Sequence, residues 1–353
     1  MAKRSLTDNE RKVLYGLVHH PTRNDRELSE ALRIKVSTVT AIRRRLGASD
    51  YFVTRRIPMM HRLGWEILLA GHGRLAQTAN PHASARMREI LEGRFPTIFH
   101  VAMSPDHFTF LGMAPDYTTS RRDLEELRTA MHRAGLSDTG LLSTIVFPVG
   151  LTVLGNFFDY SHALALAFGI EEKPPVALHP GEVGDIELSR KETDVLRGLV
   201  RFPELSDKAV AGKIKASRQA VSKMRRTFEA DGLLRTVRLP NVRALGFELF
   251  VSTFARFTPP ATLKARADAI EKTLKVTPSF FYASCNMESV LFAAVKSYEH
   301  FSSLRSLFGK YYEERGFLAG DATIHIGLAS MTDILRNADF SPAIQTLQGP
   351  MAR

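Results

Sequence analysis

The chain contains two copies of one pattern, and this duplication is the feature that most constrains its fold. When the sequence is shifted by 182 positions, residues 6–66 align with residues 188–248 without a gap, and 19 of these 61 positions are identical. Further on, the same offset pairs Phe99 with Phe281 and Phe110 with Phe292, and the likeness returns in DYSHAL (159–164) and DFSPAI (339–344). Each half is therefore expected to be one complete structural unit.

Local signals in each copy predict three helices followed by a short strand. TDNERKVLYGLV and SRKETDVLRGLV both begin with the capping-box pattern of Thr or Ser with Glu three residues later, and both then place apolar residues at helical spacing. Asn24 and Ser206 are expected to cap a second helix, and Val39, Ile42 and Leu46 lie on one face of a third. The runs YFVTRRIP and LLRTVRLP suit a β wing. The sequence thus predicts a winged helix-turn-helix.

The rest of each copy alternates as β-α-β-β-α-β, the ferredoxin-like order. The fold class is therefore predicted as α+β, with two tandem units that each join a winged helix-turn-helix to a ferredoxin-like domain. The segment EEKPPVALHPGEVGDI is rich in Pro, Gly and acidic residues, which is typical of a linker. The predicted domains are winged helix-turn-helix 1 (1–65), ferredoxin-like domain 1 (66–170), the linker (171–186), winged helix-turn-helix 2 (187–246) and ferredoxin-like domain 2 (247–353).

Composition narrows the setting in which the protein works. Cys285 is the single cysteine, so one chain can form neither an internal disulfide nor a cysteine-based metal cluster. No stretch approaches the roughly 18–20 apolar residues of a membrane span, and no signal peptide begins the sequence. We expect a cytoplasmic, nucleoid-associated protein without a membrane partner.

The excess positive charge is concentrated in the two helical modules. The net charge is +11; residues 1–65 hold 14 basic against 6 acidic residues, and residues 187–248 hold 14 against 8. The remainder holds 20 against 23. Charge placed this way is typical of modules that bind a polyanion, and it predicts double-stranded DNA as the partner.

The third helix of each copy is expected to enter the major groove, with its outward residues near base edges and flanking cations near phosphates. A solvated charged face is the alternative for an isolated run of arginines, but the run recurs at the same turn of both copies. The candidate DNA-binding residues are Ser37, Thr38, Thr40, Arg43, Arg44, Arg45, Arg55 and Arg56 in the first copy, and Ser217, Arg218, Gln219, Ser222, Lys223, Arg225, Arg226, Arg235 and Arg238 in the second.

With these motifs, the chain resembles the Lrp/AsnC (leucine-responsive) family of archaeal and bacterial regulators. The residues that carry the resemblance are LSRKETDVLRGLV, FEADGLLRTVRLPNVRALGFELFVSTFARF and their counterparts LTDNERKVLYGLV and RIPMMHRLGWEIL. The resemblance covers nearly the whole chain twice. It implies a sequence-specific transcription regulator with two non-identical reading heads, self-association through the ferredoxin-like sheets and a small-molecule effector.

The sequence departs from this family at two places. Lys35 stands where a cap of the first recognition helix is expected, whereas the second copy has Ser217 there. The turns that correspond to the family's effector site read MSPDHF and CNMESV and lack its glycine. The candidate effector-binding residues are Ser104, Asp106, Asn286 and Glu288.

Two other functions remain open at this stage. One is an architectural, nucleoid-type protein that binds DNA with low specificity, because linked heads raise affinity without requiring a particular site. The other is a haem-pathway decarboxylase-like enzyme, since the chain has twelve histidines and some proteins that resemble this family are such enzymes. No pair of histidines has metal-ligand spacing on a helix, although His100 and His107 are candidates to face each other across adjacent strands. The chain is therefore predicted to be a non-enzyme with neither a cofactor nor a metal.

Overall fold

The computed structural model describes residues 5–76, 82–92, 94–137, 142–171 and 178–347. The helices are α1 (Asp8–His19), α2 (Asp25–Leu32), α3 (Val36–Ala48), α4 (Ala83–Leu91), α5 (Tyr117–Arg133), α6 (Ser161–Phe168), α7 (Arg190–Arg201), α8 (Asp207–Ile214), α9 (Arg218–Ala230), α10 (Ala267–Val276), α11 (Tyr298–Glu313) and α12 (Ser341–Thr346). The strands are β1 (Phe52–Pro58), β2 (Ile67–Arg74), β3 (Ile98–Met103), β4 (His107–Ala114), β5 (Leu142–Pro148), β6 (Val153–Gly155), β7 (Leu178–Pro180), β8 (Leu234–Pro240), β9 (Leu249–Arg256), β10 (Ser279–Ser284), β11 (Glu288–Val295), β12 (Thr323–Leu328) and β13 (Asp333–Arg336). The α+β prediction of winged helix-turn-helix and ferredoxin-like parts is confirmed.

Capping boxes begin both three-helix bundles, as the sequence predicts. The Thr7 side chain accepts a hydrogen bond from the Glu10 backbone N–H, and the Glu10 carboxylate accepts one from the Thr7 N–H at 2.7 Å. Ser189 and Glu192 form the same pair at the start of α7. Each box satisfies backbone donors that the first helical turn leaves without an intrahelical partner.

The chain divides into two compact units, and each unit is discontinuous in sequence. Within the described residues, unit 1 contains the chain up to Thr54, Val153–His179 and Thr236–Ser330, while unit 2 contains Arg55–Thr152, Pro180–Arg235 and the chain from Met331. Each unit therefore combines the helical bundle of one sequence copy with the ferredoxin-like sheet of the other. This exchange was not predicted from the sequence.

Unit 1 is built on a six-stranded sheet in the order β12-β9-β11-β10-β6-β7. Strand β6, which comes from the end of the first sequence copy, extends this sheet by pairing Leu154 with Ala283 on β10. Helix α6 follows β6 and packs against α1 and β10. Helices α10 and α11 cover one face of the sheet, where the buried cluster includes Leu249, Val251 and Phe301.

Unit 2 is built on a five-stranded sheet in the order β13-β3-β4-β2-β5. Here β13, from the end of the second copy, pairs with the edge of β3, and α12 packs against α7. Helices α4 and α5 cover one face in a single buried cluster that includes Phe108 and Phe110. Gly71 lies under the Phe110 ring, where a Cβ atom would come within 2.4 Å of a ring carbon, so glycine leaves room for the aromatic layer.

The offset between the copies is not constant along the chain. It is 182 through β2 and β9, but β3 and β10, β4 and β11, and α5 and α11 all begin 181 residues apart, because the segment between the first two strands is one residue shorter in the second copy. The equivalences of Phe99 with Phe281 and of Phe110 with Phe292 are therefore wrong. Phe99 corresponds to Phe280. Phe110 corresponds to Leu291 and packs under the helices, whereas Phe292 pairs with Ser252 and points to the other face.

The described part of the chain includes no helix that is both apolar and long enough to traverse a bilayer.

Candidate active site

Three histidines lie on the face of the five-stranded sheet that points away from α4 and α5. His72 pairs with Thr109 across β2 and β4, His107 pairs with Arg74 in the same ladder, and His100 on β3 pairs with Leu111. Alternate residues of a strand share a face, so His107, Thr109 and Leu111 point the same way, opposite to Phe108 and Phe110. We call the surface formed by His72, His100 and His107 the histidine face.

The sheet register decides which histidines are neighbours. His72 and His107 are diagonal neighbours on adjacent strands, a relation that typically separates Cα atoms by about 7–8 Å. His100 pairs with Leu111, four residues along β4 from His107. The expectation that His100 and His107 face each other directly is therefore wrong, although both belong to one face.

Burial sets the charge of two of these imidazoles. His100 is 1% exposed, and this burial lowers its pKa to about 3, so the ring is neutral at physiological pH. Burial also lowers the pKa of half-buried His72, and the positive charge of nearby His107 lowers it further. A neutral imidazole can accept a proton or bind a metal ion.

His107 has a carboxylate beside it. Its Nδ1 lies 2.8 Å from Oδ1 of Asp106, and the His107 side chain is 9% exposed while that of Asp106 is 78% exposed. Both residues belong to the tight turn between β3 and β4, where the Ser104 N–H donates to the His107 carbonyl. The Leu75 N–H also donates to the Asp106 carbonyl, so backbone hydrogen bonds hold this turn at the end of β2.

The surroundings of the three imidazoles are apolar and buried. The side chains that share the face with them and are at most 6% exposed are Leu68, Ala70, Thr109, Leu111, Met113, Ile145 and Phe147, of which Thr109 alone is polar. Electrostatic interactions are stronger in such surroundings than in water. The described residues include no group of three or more His, Cys, Asp or Glu side chains that could hold a metal ion, so this face offers separate polar groups on an apolar floor.

The corresponding face of the six-stranded sheet is different. The residue equivalent to His72 is Phe254, the one equivalent to His100 is Phe281, and Glu288 takes the place of His107. Glu288 is paired with Arg256 at 3.5 Å, and Met287 stands where the first copy has Asp106. We call the surface formed by Phe254, Phe281 and Phe292 the phenylalanine face. This face also has one histidine at a different place, since His325 on β12 pairs with Ser252 and its ring lies 6.1 Å from that of Phe254. The group of three imidazoles therefore belongs to the five-stranded sheet.

An open groove of about 1200 Å³ lies elsewhere in unit 2, along α4 and α5. It is on the opposite side of the sheet from the histidine face. Arginines and glutamates alternate along it, and Arg121 is paired with Glu125 at 3.2 Å. The volume of the groove alone does not identify a reactive site, so the histidine face remains the candidate site.

Several recognition-helix residues bind within their own helical bundles. Arg43 and Thr40 both donate to Asp25 at 2.8 Å, and Arg45 lies 2.5 Å from Glu10. In the second bundle, Arg225 contacts Asp207 at 3.0 Å and a second carboxylate on its own helix. These contacts link the third helix to the first or second helix, a structural role that explains part of the repeated positive charge.

The wing arginines are also engaged. Arg238 is 5% exposed, donates to the Leu17 carbonyl and lies over the Phe52 ring, so its guanidinium offers no surface to a phosphate. Its predicted phosphate contact is wrong. Arg56 and Arg55 are half-buried, and each donates to a backbone carbonyl.

The other candidate DNA-binding residues lie on or near the surface. Ser217 caps α9 by accepting from the Ala220 N–H, whereas α3 begins after Lys35 without a side-chain cap, which confirms the predicted difference between the two helix starts. Ser37, Thr40, Arg44, Arg45, Ser217, Arg218, Gln219, Lys223 and Arg226 are exposed, and Thr38, Ser222 and Arg235 are half-buried.

The candidate effector residues lie in the equivalent hairpin turns of the two sheets. Ser104 is hydrogen-bonded to Thr332 at 2.9 Å, and Asn286 accepts from the Leu263 N–H at 3.0 Å. Glu288 is in the ion pair with Arg256 described above. Of the four residues, Asp106 contacts the His107 imidazole, and Ser104 contacts the His107 backbone.

The comparisons with known proteins support the winged helix-turn-helix and ferredoxin-like fold. No family model matches the chain, and no curated sequence matches it significantly. The solved structure of the siroheme decarboxylase NirDL is 9% identical and matches with a TM-score of 0.51 over 96% of this chain and 97% of its own. The same enzyme in co-complex with an iron-uroporphyrin III analogue gives 0.50 over 96% and 98%. The fold resembles that of an enzyme. The E. coli regulator AsnC, 11% identical, matches 48% of this chain and 97% of its own with a TM-score of 0.31.

These matches correct the functional prediction. The transcription-regulator and DNA-binding interpretation is wrong, and so is the prediction that the chain is not an enzyme, because the structures that match the chain over nearly its whole length are those of a decarboxylase. The predicted likeness to the Lrp/AsnC family holds for the architecture of the chain and not for regulation.

Proposed function

We propose that this protein is a decarboxylase that acts on a siroheme-class tetrapyrrole at the histidine face. The observation that carries the proposal is the placement of three imidazoles on one buried, mostly apolar sheet face, while the equivalent positions of the other sheet have Phe254, Phe281 and Glu288. The fold-level likeness to siroheme decarboxylase NirDL along nearly the whole chain supports this choice of reaction.

The reaction needs little beyond a binding surface and a proton donor. In the loss of CO₂ from an acetate side chain, the bond between the methylene carbon and the carboxylate carbon breaks, and its electron pair stays on the methylene carbon. The conjugated macrocycle spreads this charge. A proton then binds to the carbon and leaves a methyl group, so the reaction is redox-neutral and consumes one proton.

The histidine face supplies what this reaction requires. Because most of its side chains are nearly fully buried, the face must open for a flat macrocycle to reach them, and a site that excludes water strengthens hydrogen bonds to developing charge. His107, beside the Asp106 carboxylate, is the imidazole that we assign to deliver the proton. His100, neutral because it is buried, is suited to contact the metal of a metallated tetrapyrrole.

The test is to incubate the purified full-length chain with siroheme under anaerobic conditions and to follow loss of CO₂ by mass spectrometry. We expect the product to appear with the native chain and the rate with His107→Ala to fall by a factor of about 10²–10⁴, the usual contribution of a positioned proton donor. Substrate binding, followed by absorbance, is measured in parallel.

His132→Ala is the matched control, because His132 is an exposed histidine on α5 and lies on the other side of the same sheet. It should keep the native rate. A native chain that neither binds siroheme nor releases CO₂ would show that the proposed function is incorrect. Equal losses in both histidine variants would remove the histidine face from the mechanism.

A further inference from the structure

We infer that Asp106 is a positioning residue that fixes the tautomer and the ring orientation of His107. The inference rests on the proposed function for its catalytic meaning, but its structural part stands alone. The distance of 2.8 Å between Oδ1 of Asp106 and Nδ1 of His107 is that of a hydrogen bond. A carboxylate can only accept, so the neutral imidazole carries its hydrogen on Nδ1.

The hydrogen bond has a consequence for the other ring nitrogen. With Nδ1 bound to Asp106, Nε2 lies on the opposite side of the imidazole ring and becomes the nitrogen that exchanges a proton with a bound substrate. A carboxylate behind a histidine has this orienting role in many enzymes and metal sites.

Hydrogen bonds hold the backbone of the turn in place. The Ser104 N–H donates to the His107 carbonyl at 2.8 Å, and the Leu75 N–H donates to the Asp106 carbonyl at 2.9 Å. The Ser104 hydroxyl is also hydrogen-bonded to Thr332, in buried surroundings. The turn is thus anchored from both sides, which fixes the backbone position from which the exposed Asp106 side chain reaches His107.

The second sequence copy provides an internal comparison. Its turn has the same backbone hydrogen bonds, since the Cys285 N–H donates to the Glu288 carbonyl and the Phe257 N–H donates to the Met287 carbonyl. Yet the side chains at the two positions are methionine and glutamate, and Glu288 is paired with Arg256. The fold therefore needs no Asp-His pair at this turn, and the pair occurs in the copy that has the histidine face.

The experiment compares Asp106→Ala with the native full-length chain by ¹⁵N spectroscopy of the histidine rings, with His107→Gln used to assign the signals. We expect the hydrogen of neutral His107 to be on Nδ1 in the native chain and to shift mainly to Nε2 in Asp106→Ala. The decarboxylation kcat should fall about tenfold, with KM changed less than twofold, because Asp106 acts through His107. Asp106→Glu should restore the native tautomer and most of the rate.

Glu126→Gln is the control for charge alone, since it removes one exposed carboxylate from α5 on the other face of the sheet. It should change neither the tautomer nor kcat. An unchanged His107 tautomer in Asp106→Ala would overturn the inference. If the native chain releases no CO₂, the proposed function fails, and the tautomer comparison still decides the role of Asp106.

Discussion

The two sheets of this protein share one topology and differ in the side chains that lie on the face away from their helices. The five-stranded sheet places His72, His100 and His107 there, whereas the six-stranded sheet has Phe254, Phe281 and Glu288 at the equivalent positions. Both faces are largely buried, so exposure does not distinguish them. The difference is chemical: one face has three imidazoles, and at the equivalent positions the other has two phenylalanines and a glutamate, with His325 as its imidazole among the described residues.

Packing explains what the phenylalanine face contributes. The Phe281 ring lies 5.5 Å from Phe157, and both Phe158 and Phe292 lie within 5.8 Å of it. Aromatic pairs at these distances stabilise a fold beyond the area that they bury. A duplicated chain can thus keep chemistry in one copy while the other copy supports the structure. Each prediction below tests this division of roles.

The largest expected effect comes from making the histidine face resemble the other one. His107→Glu places the Glu288 equivalent on β4 and should lower the decarboxylation kcat/KM about a hundredfold or more, because the residue assigned to deliver the proton is lost. The reverse change, Glu288→His, should leave kcat/KM within about twofold when measured well below the unfolding temperature. Similar losses from both changes would mean that the two faces act together.

For the free energy of unfolding, the phenylalanine face should matter more than the histidine face. Phe281→Ala removes a ring with 0% exposure, so we expect the free energy of unfolding to fall by about 3–5 kcal/mol. His100→Phe, at the equivalent position, places an aromatic ring of similar size in a buried site and should change it by less than about 1.5 kcal/mol. Urea unfolding of both variants measures this. A larger loss for His100→Phe would show that the imidazole is also structural.

The arginines allow a comparison between buried and exposed positive charge. Arg238→Ala leaves the Leu17 carbonyl without its donor and removes the contact with Phe52, so we expect a loss of about 1–3 kcal/mol in the free energy of unfolding. Exposed Arg44→Ala should cost less than about 0.5 kcal/mol. Thermal unfolding distinguishes the two, and equal effects would contradict the structural role of the wing arginine.

The smallest expected effect is a difference in stability between variants of the two helical bundles. Arg225 is paired with both Asp207 and Glu229, whereas Arg43 is paired with Asp25, so Arg225→Ala should cost about 0.5–1 kcal/mol more than Arg43→Ala.

The stabilisation by Arg225 should also depend on pH. Burial alone would raise the pKa of Asp207, but the hydrogen bonds and the charge of Arg225 outweigh it and hold that pKa below its ordinary value near 4. Stabilisation by the charged carboxylate is therefore full above about pH 4 and is lost as pH falls through the lowered pKa. Unfolding of the native chain and of Arg225→Ala from about pH 7 down to about pH 2 checks this, with Arg226→Ala as the exposed control. A loss from Arg225→Ala that does not decrease as pH falls below about 4 would exclude the ion pair as its cause.

Much of the fold was predictable because its signals are local. The capping boxes at Thr7 and Ser189 and the absence of a cap at Lys35 are matters of a few adjacent residues, and the structure confirms them. The β-α-β-β-α-β order likewise follows from short runs of apolar residues. The one-residue change in offset was not visible, because the sequence between β2 and β3 has diverged too far to show where a residue is missing.

The site was not predictable because it depends on strand register. His72, His100 and His107 lie in three different strands, and nothing in their spacing shows that they share a face. The alternation in GHG (71–73) and DHFTF (106–110) is the signal that could have indicated it. The charge argument failed for a related reason. Asp25 is 18 residues from Arg43 and Leu17 is 221 residues from Arg238, so sequence alone gave the arginines no internal partner.

The exchange of terminal segments has a consequence for synthesis on the ribosome. Strand β3 is made early, but its outer neighbour β13 belongs to residues 333–336, which the ribosome adds on the order of ten to fifty seconds later. Until then, the nascent chain exposes an open strand edge next to His100. Such an edge can pair with another chain, so β3 is protected from a wrong partner only after the last part of the protein has been synthesised.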